Sequence, residues 1–194
     1  MVGTNKKALV IANAMDFLDQ DARQRAADRE ITDMQSLGFK PEELDLRDYF
    51  GKQHELAAKL NDYGLVWARG GNGFLLRQAM ERSGFDKVLL RRLTDDNFTY
   101  AGYSAGIVVL TPTLEGIELV DPVDARPHGY ESQVIWRGIG VLDYCIAPHF
   151  KSDHPESEAI NDVVEYFDQH GLPYKTLHDG EAIVVRGTKE EIVS

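Results

Sequence analysis

Along the chain, short apolar runs alternate with longer stretches in which apolar positions recur every three or four residues. "KALVIANA" (7–14) is a compact apolar run ending in small residues and predicts a buried strand. "DQDARQRAADREITDMQSLGF" (19–39) has helical spacing, with Gly38 as its stop signal. "EELDLRDY" (42–49) predicts a second strand, "QHELAAKLNDY" (53–63) a helix, and "GLVWARGGNG" (64–73) a third strand running into glycines. "FLLRQAMERSGF" (74–85) reads as helix and "KVLLRRLTDDN" (87–97) continues it. "FTYAGYSAG" (98–106) predicts a strand, and "SAGIVVL" (104–110) opens a further helix. Buried strands alternating with amphipathic helices predict an α/β fold: a mostly parallel sheet covered by helices on both faces.

From Thr111 the periodicity fades. The proline-bearing stretch "TPTLEGIELVDPVDARPHGYESQVIW" (111–136) predicts surface loop with short strands. "GIGVLDYCIAPHF" (138–150) returns to a buried strand. "HPESEAINDVVEYFDQHG" (154–171) predicts a helix with Pro155 in its first turn and Gly171 at its end. "YKTLHDGEAIVVRGT" (174–188) reads as two strands around Asp179-Gly180, a hairpin turn signal. There is no internal repeat or linker, so residues 1–194 are expected to form a single domain.

Composition narrows the function classes. A chain of 194 residues builds a core that needs no disulfides, and its single cysteine, Cys145, forms no intramolecular framework. The N-terminal stretch "MVGTNKKALVIANAMDF" has an apolar run too short to span a bilayer and no cleavage-site pattern; it is read as part of the first strand. The expected location is therefore cytoplasmic. The net charge of −11 repels phosphate backbones and anionic lipid, which argues against nucleic-acid or membrane partners.

The chemistry centres on Gly102-Tyr103-Ser104-Ala105-Gly106, a G-x-S-x-G pattern between a predicted strand and a predicted helix. Ser104 there is either a helix cap or a nucleophile raised on a sharp turn at the carboxyl edge of the sheet. In the second case the Ala105 N–H points at an oxygen bound beside Ser104. "WARGGNGF" supplies a second candidate donor at the same edge, with Asn72 a cap for the following helix. It is not a phosphate-binding loop, because no Gly-Lys-Ser/Thr follows and the G-x-G-x-x-G spacing is missing. Among six histidines, His54 lies in a predicted exposed helix, His128 and His154 in polar loops, His170 at a helix end and His178 in the last hairpin. His149 follows a buried strand directly, beside Pro148, and is the candidate base. A triad needs an acid as well; Asp179, Glu115 and Asp121 are candidates between which spacing does not choose. No H-E-x-x-H or cysteine cluster implies a metal, and no cofactor is implied. "HFKSDH" alone sets two histidines near an aspartate.

"GGNGFLL", "GYSAG" and "APHF", in this order, resemble peptidase family S51, which includes aspartyl dipeptidase (peptidase E) and cyanophycinase. The resemblance runs from "ALVIANA" to "EAIVV". It implies a class I glutamine amidotransferase-like, flavodoxin-like fold with serine in place of that fold's cysteine. It further implies Ser104 as nucleophile, His149 as base, and the N–H groups of Gly71 and Ala105 as the oxyanion hole. The acid comes from a turn before a late strand, which "LHDGEAIVV" matches; this selects Asp179, with Glu181 close by and Glu115 as runner-up. In this alignment Glu115 also stands where aspartyl dipeptidases carry a substrate-recognising arginine, so it and Asn72 are expected at the substrate. Glu115 there would disfavour an N-terminal Asp, unless Arg69, Arg77, Arg126 or Lys151 compensates.

The expectation is a serine peptidase acting on short peptides. The alternatives are a serine esterase or amidase on a small metabolite, using the same residues, and a binding module that kept the fold and lost turnover. By analogy with related folds, a homodimer is the expected assembly.

Overall fold

The computed structural model describes residues 4–194, so the first three residues of the N-terminal stretch lie outside it. The first half of the chain builds a four-stranded parallel sheet in the order β2-β1-β3-β4. These strands are β1 (Lys7–Ile11), β2 (Lys40–Glu43), β3 (Leu65–Ala68) and β4 (Thr99–Gly102). Between them run α1 (Gln20–Ser36), α2 (Gln53–Leu60), α3 (Gly73–Ser83) and α4 (Phe85–Arg92). After β4 comes the short α5 (Ala105–Val108). Beyond a long loop, β5 (Cys145–Ala147) pairs in parallel with β6 (Tyr174–Thr176), and α6 (Ser157–His170) connects them. A hairpin of β7 (Ala182–Arg186) and β8 (Lys189–Val193) completes the described residues.

Alternation along the strands divides the helices between two faces. Ala8, Val10 and Leu65 pack with Met34 and Ile31 of α1 on one face. Leu9, Ile11, Val66 and Ala68 turn the other way and pack with residues of α2, α3 and α4, including Leu56, Leu76 and Phe85. Every second side chain of a strand faces the same way, so both faces are apolar and both must be covered. Each such leucine or phenylalanine, once buried, contributes about 1.5–3 kcal/mol. A separate cluster joins Phe74 of α3 and Val108 of α5 to Cys145 and Ala147 of β5 and to Ile160, Val163 and Phe167 of α6. That cluster anchors the strand before His149 against the helix that follows Ser104.

Several elements depart from expectation. The second strand is shorter and earlier: Lys40–Glu43 is strand, and Leu46–Tyr49 forms a 3-10 turn capped by Asp45, which accepts from the Arg47 N–H. The helix expected over 74–97 breaks at Gly84, whose φ of +73° ends α3 and starts α4 in a new direction. The 111–136 stretch holds a 3-10 turn and an isolated bridge from Thr113 to Arg137 rather than strands. Pro155 lies just before α6 rather than inside its first turn. The hairpin is also displaced. Asp179-Gly180 links β6 to β7, which belong to different sheets, and the hairpin turn lies at Gly187-Thr188. The Asp-Gly signal marks a tight turn correctly, but sequence does not say whether the flanking strands pair with each other.

Candidate active site

The parallel register brings two chain segments out of the sheet side by side. Ala68 pairs with Gly102, so Arg69-Gly70-Gly71 and Tyr103-Ser104 leave the same edge together. Ser104 has φ +49° and ψ −122°. A non-glycine residue in that region carries about 1–3 kcal/mol of strain, which the surroundings must hold. The hold is visible. The Tyr103 N–H donates to Ala68 O at 3.2 Å, and the Ile107 and Val108 N–H groups donate to Ser104 O at 2.9 and 3.0 Å. The Tyr100 hydroxyl donates to Gly106 O at 2.6 Å. The turn fits only because its neighbours lack side chains: a Cβ on Gly106 would stand 2.1 Å from Ala68 O, and one on Gly102 2.4 Å from it. The Ser104 side chain does not cap α5, which removes the capping explanation for a serine at this position.

The glycine loop after β3 presses against this turn. A Cβ on Gly70 would lie 2.8 Å from the Ser104 Cβ. Gly71 takes φ +135°, and a Cβ there would meet Ala14 O and the Met15 Sδ at 2.6 Å each. Among the described residues, the N–H groups of Gly71 and Ala105 make no hydrogen bond within the protein. Both donors therefore stand available beside the half-buried Ser104. Asn72 is buried and its amide is engaged: Oδ1 accepts from the Leu75 N–H at 2.9 Å, capping α3, and Nδ2 donates to Pro122 O at 2.8 Å. Its surroundings are those of the helix cap that the sequence predicts.

The second pair of strands repeats the device. Ala147 pairs with Thr176, and beyond that pair the Phe150 N–H donates to Leu177 O at 3.0 Å. His149 and Asp179 thus leave adjacent strands, and His149 Nδ1 lies 2.6 Å from Asp179 Oδ1. Asp179 is itself fixed, its N–H donating to the Ser152 hydroxyl at 2.8 Å. A carboxylate on Nδ1 places the ring proton there and leaves Nε2 as the basic nitrogen. His149 also has a positive φ, +58°. Among the described residues only three non-glycines do so, and Ser104 and His149 are two of them. Among the described residues the Ser104 hydroxyl makes no hydrogen bond, to His149 or to any other group; a bond between nucleophile and base often forms only once substrate binds.

Glu115 is not part of this arrangement. It is exposed, and its charge acts on Cys145 at the start of β5 and on Tyr166 of α6. His149 pairs with Asp179 rather than with Glu115, the alternative acid. Glu181 accepts from the His178 N–H and braces the turn that carries Asp179. Of the basic residues, Arg77 is buried against Asp86, Arg69 lies against Glu30 and Tyr103, and Arg126 bonds loop carbonyls.

Two further acids, Asp121 and Glu156, lie near the site. Asp121 Oδ2 accepts from the Gly73 N–H at 2.7 Å at the start of α3. Burial pushes its carboxyl up to about 7; the Gly73 N–H opposes that rise and the charge of Glu156 adds to it. Glu156 Oε2 is 4.0 Å from His154 Nδ1. His154, expected in a polar loop, stacks on His149 with ring centroids 3.7 Å apart and planes 8° from parallel. Ligand atoms of His149, His154 and Glu156 lie within 4.8 Å of one another. Stacked rings, however, aim their in-plane lone pairs in parallel, and an ion shared by both would sit well out of each ring plane.

The chain is similar to known peptidases. The chain is 27% identical over 161 residues to an uncharacterized peptidase of Listeria innocua, covering 83% of this chain and 72% of the relative. It is 25% identical to a peptidase E of Streptomyces coelicolor over 137 residues, 68% of this chain and 53% of that protein. A crystal structure of a candidate peptidase E from Listeria monocytogenes superposes with a TM-score of 0.76 at 24% identity, over 97% of this chain and 85% of that one. That likeness carries the class I glutamine amidotransferase-like fold. The sequence pattern of peptidase family S51 matches residues 4–193, nearly the whole chain, and with its strand-end serine the protein belongs to that family.

Proposed function

We propose that this peptidase works by a serine mechanism on short peptides. Ser104 Oγ attacks the scissile carbonyl while His149 Nε2 takes its proton. The carbonyl oxygen becomes an oxyanion held by the N–H groups of Gly71 and Ala105. His149 then gives the proton to the leaving amine, the C–N bond breaks, and an acyl-serine remains. Water, deprotonated by the same nitrogen, hydrolyses the ester and restores Ser104. Asp179 holds the His149 ring and stabilises the imidazolium.

The observation that carries this reading is the strained backbone of Ser104, pressed against a glycine loop with free N–H groups. A binding module has no use for that strain; a nucleophile does. Among the described residues no helix is long and apolar enough to cross a membrane. The single cysteine fits a reducing compartment and supports the reading of a cytoplasmic enzyme.

The test is a dipeptide panel, with amide and ester analogues alongside, on wild type and Ser104→Ala. Removing the nucleophile of a coupled triad costs about a millionfold in turnover, with an unchanged thermal melt. Hydrolysis at the wild-type rate by the variant refutes the assignment, and esters cleaved with no peptide cleaved would favour the esterase alternative.

A further inference from the structure

The serine mechanism leaves one close contact unused. His154 lies flat on His149, the ring proposed as the base. We propose that His154 is a positioning residue: its neutral imidazole fixes the plane of His149 so that Nε2 faces Ser104, and turnover requires His154 unprotonated. The proposal rests on the serine-peptidase reading.

The geometry supports both halves. Asp179 holds His149 through one contact, at Nδ1, so tilting of the ring about its Cβ–Cγ bond is opposed by that single hydrogen bond. Face-to-face contact with a second ring restricts that tilting further. His154 is held in turn, because the Glu156 N–H donates to its Nδ1 at 3.2 Å. That bond needs a lone pair on Nδ1, so it exists only while the ring is neutral. Protonating His154 breaks it and sets a cation against a ring that must itself become cationic during turnover. Two unit charges about 4 Å apart, at dielectrics between water and protein surface, slow such a step by roughly 5- to 1000-fold. The charged groups facing the stack are Asp179 at His149, Glu156 at His154, and Asp121 beyond Glu156. Lys151 and His178 face the Phe150 ring instead.

The experiment compares His154→Ala and His154→Phe with wild type on one good dipeptide, across pH, with His149→Ala alongside and thermal melts of each. His154→Ala should lower kcat by about 10- to 100-fold, as loss of orientation does, with KM within about twofold. His154→Phe, which keeps the stack without the charge, should recover most of kcat. As the pH falls, kcat/KM should drop more steeply in wild type, where a charge on the second ring opposes turnover, than in His154→Phe. A His154→Ala enzyme with wild-type kcat overturns the proposal. So does a Phe variant as slow as the Ala variant with an unchanged acid limb, since His154 would then only support the loop. An active His149→Ala refutes the underlying mechanism instead, so the two failures are told apart.

Discussion

At the scale of single residues, the geometry separates acids that spacing leaves tied and between which only the family resemblance chooses. Asp179, Glu115 and Asp121 each follow plausibly from a polar loop, and no spacing rule connects any of them to His149. The structure does so through strand pairing, which brings positions 147 and 176 into register and hence His149 to Asp179 at 2.6 Å. Asp179→Asn should therefore cut kcat by roughly 100- to 10,000-fold with the fold intact. The lower part of that range allows for the exposure of Asp179, whose side chain is 45% accessible and partly screened by water. Glu115→Gln should leave kcat within a few-fold. Steady-state kinetics of both variants check this, and the reverse ranking would move the acid to the loop after α5. Ser104 itself was legible as a motif. The sharp turn beneath it was legible from the same motif, and the packing of Gly102 and Gly106 against Ala68 is what holds it.

At the scale of elements, alternation and helical spacing found the strands and helices that have two apolar faces or one broad one, such as β1, β3 and α1. They failed where a local signal has two outcomes. "EELDLRDY" alternates like a strand, yet Asp45 accepts from the Arg47 N–H and ends the strand in a 3-10 turn. Asp179-Gly180 marks a turn between any two strands, and here each strand has a different partner. Asp121 is an element-scale feature as well, since its carboxyl meets the start of α3 through Gly73. Its folded pKa, raised to about 7 by burial, means the folded protein holds this proton more tightly than the unfolded chain. Stability should thus fall as pH rises from the ordinary carboxylate range through 7, by a penalty on the order of 1–3 kcal/mol once the group is ionised. Asp121→Asn keeps an oxygen for the Gly73 N–H and removes the charge. It should raise the melting temperature at pH 8 by several degrees and leave it nearly unchanged at pH 4. Melts of both proteins at the two pH values decide it; an equal shift at both would mean that the carboxyl does not titrate as its burial implies.

At the scale of the whole molecule, the net charge of −11 continues into the site rather than stopping at its rim. Asp121 lies beside Gly73 and close to the Ala105 end of the elbow, and Glu156 stands by the histidine stack. Of the basic residues that sequence offered as compensation, Arg77 is tied to Asp86, Arg69 to Glu30 and Arg126 to loop carbonyls, while Lys151 lies over the Phe150 ring. A substrate carboxylate about 4 Å from one of these acids loses on the order of 1 kcal/mol in water and about 4 at a surface-like dielectric. A free amino terminus or a basic side chain gains in the same way. The enzyme should therefore hydrolyse Ala-Leu better than Asp-Leu, with a ratio of kcat/KM values of tenfold or more. Because Asp121 loses its charge below about 7, lowering the pH from 8 to 6 should narrow that ratio. Effects on the catalytic base cancel, since both substrates share it. Glu156→Gln should narrow the ratio further at either pH. Measuring the two dipeptides in competition at both pH values checks each step, and a wild-type enzyme that prefers Asp-Leu would show that a basic group, not this acidic wall, meets the first side chain of the substrate.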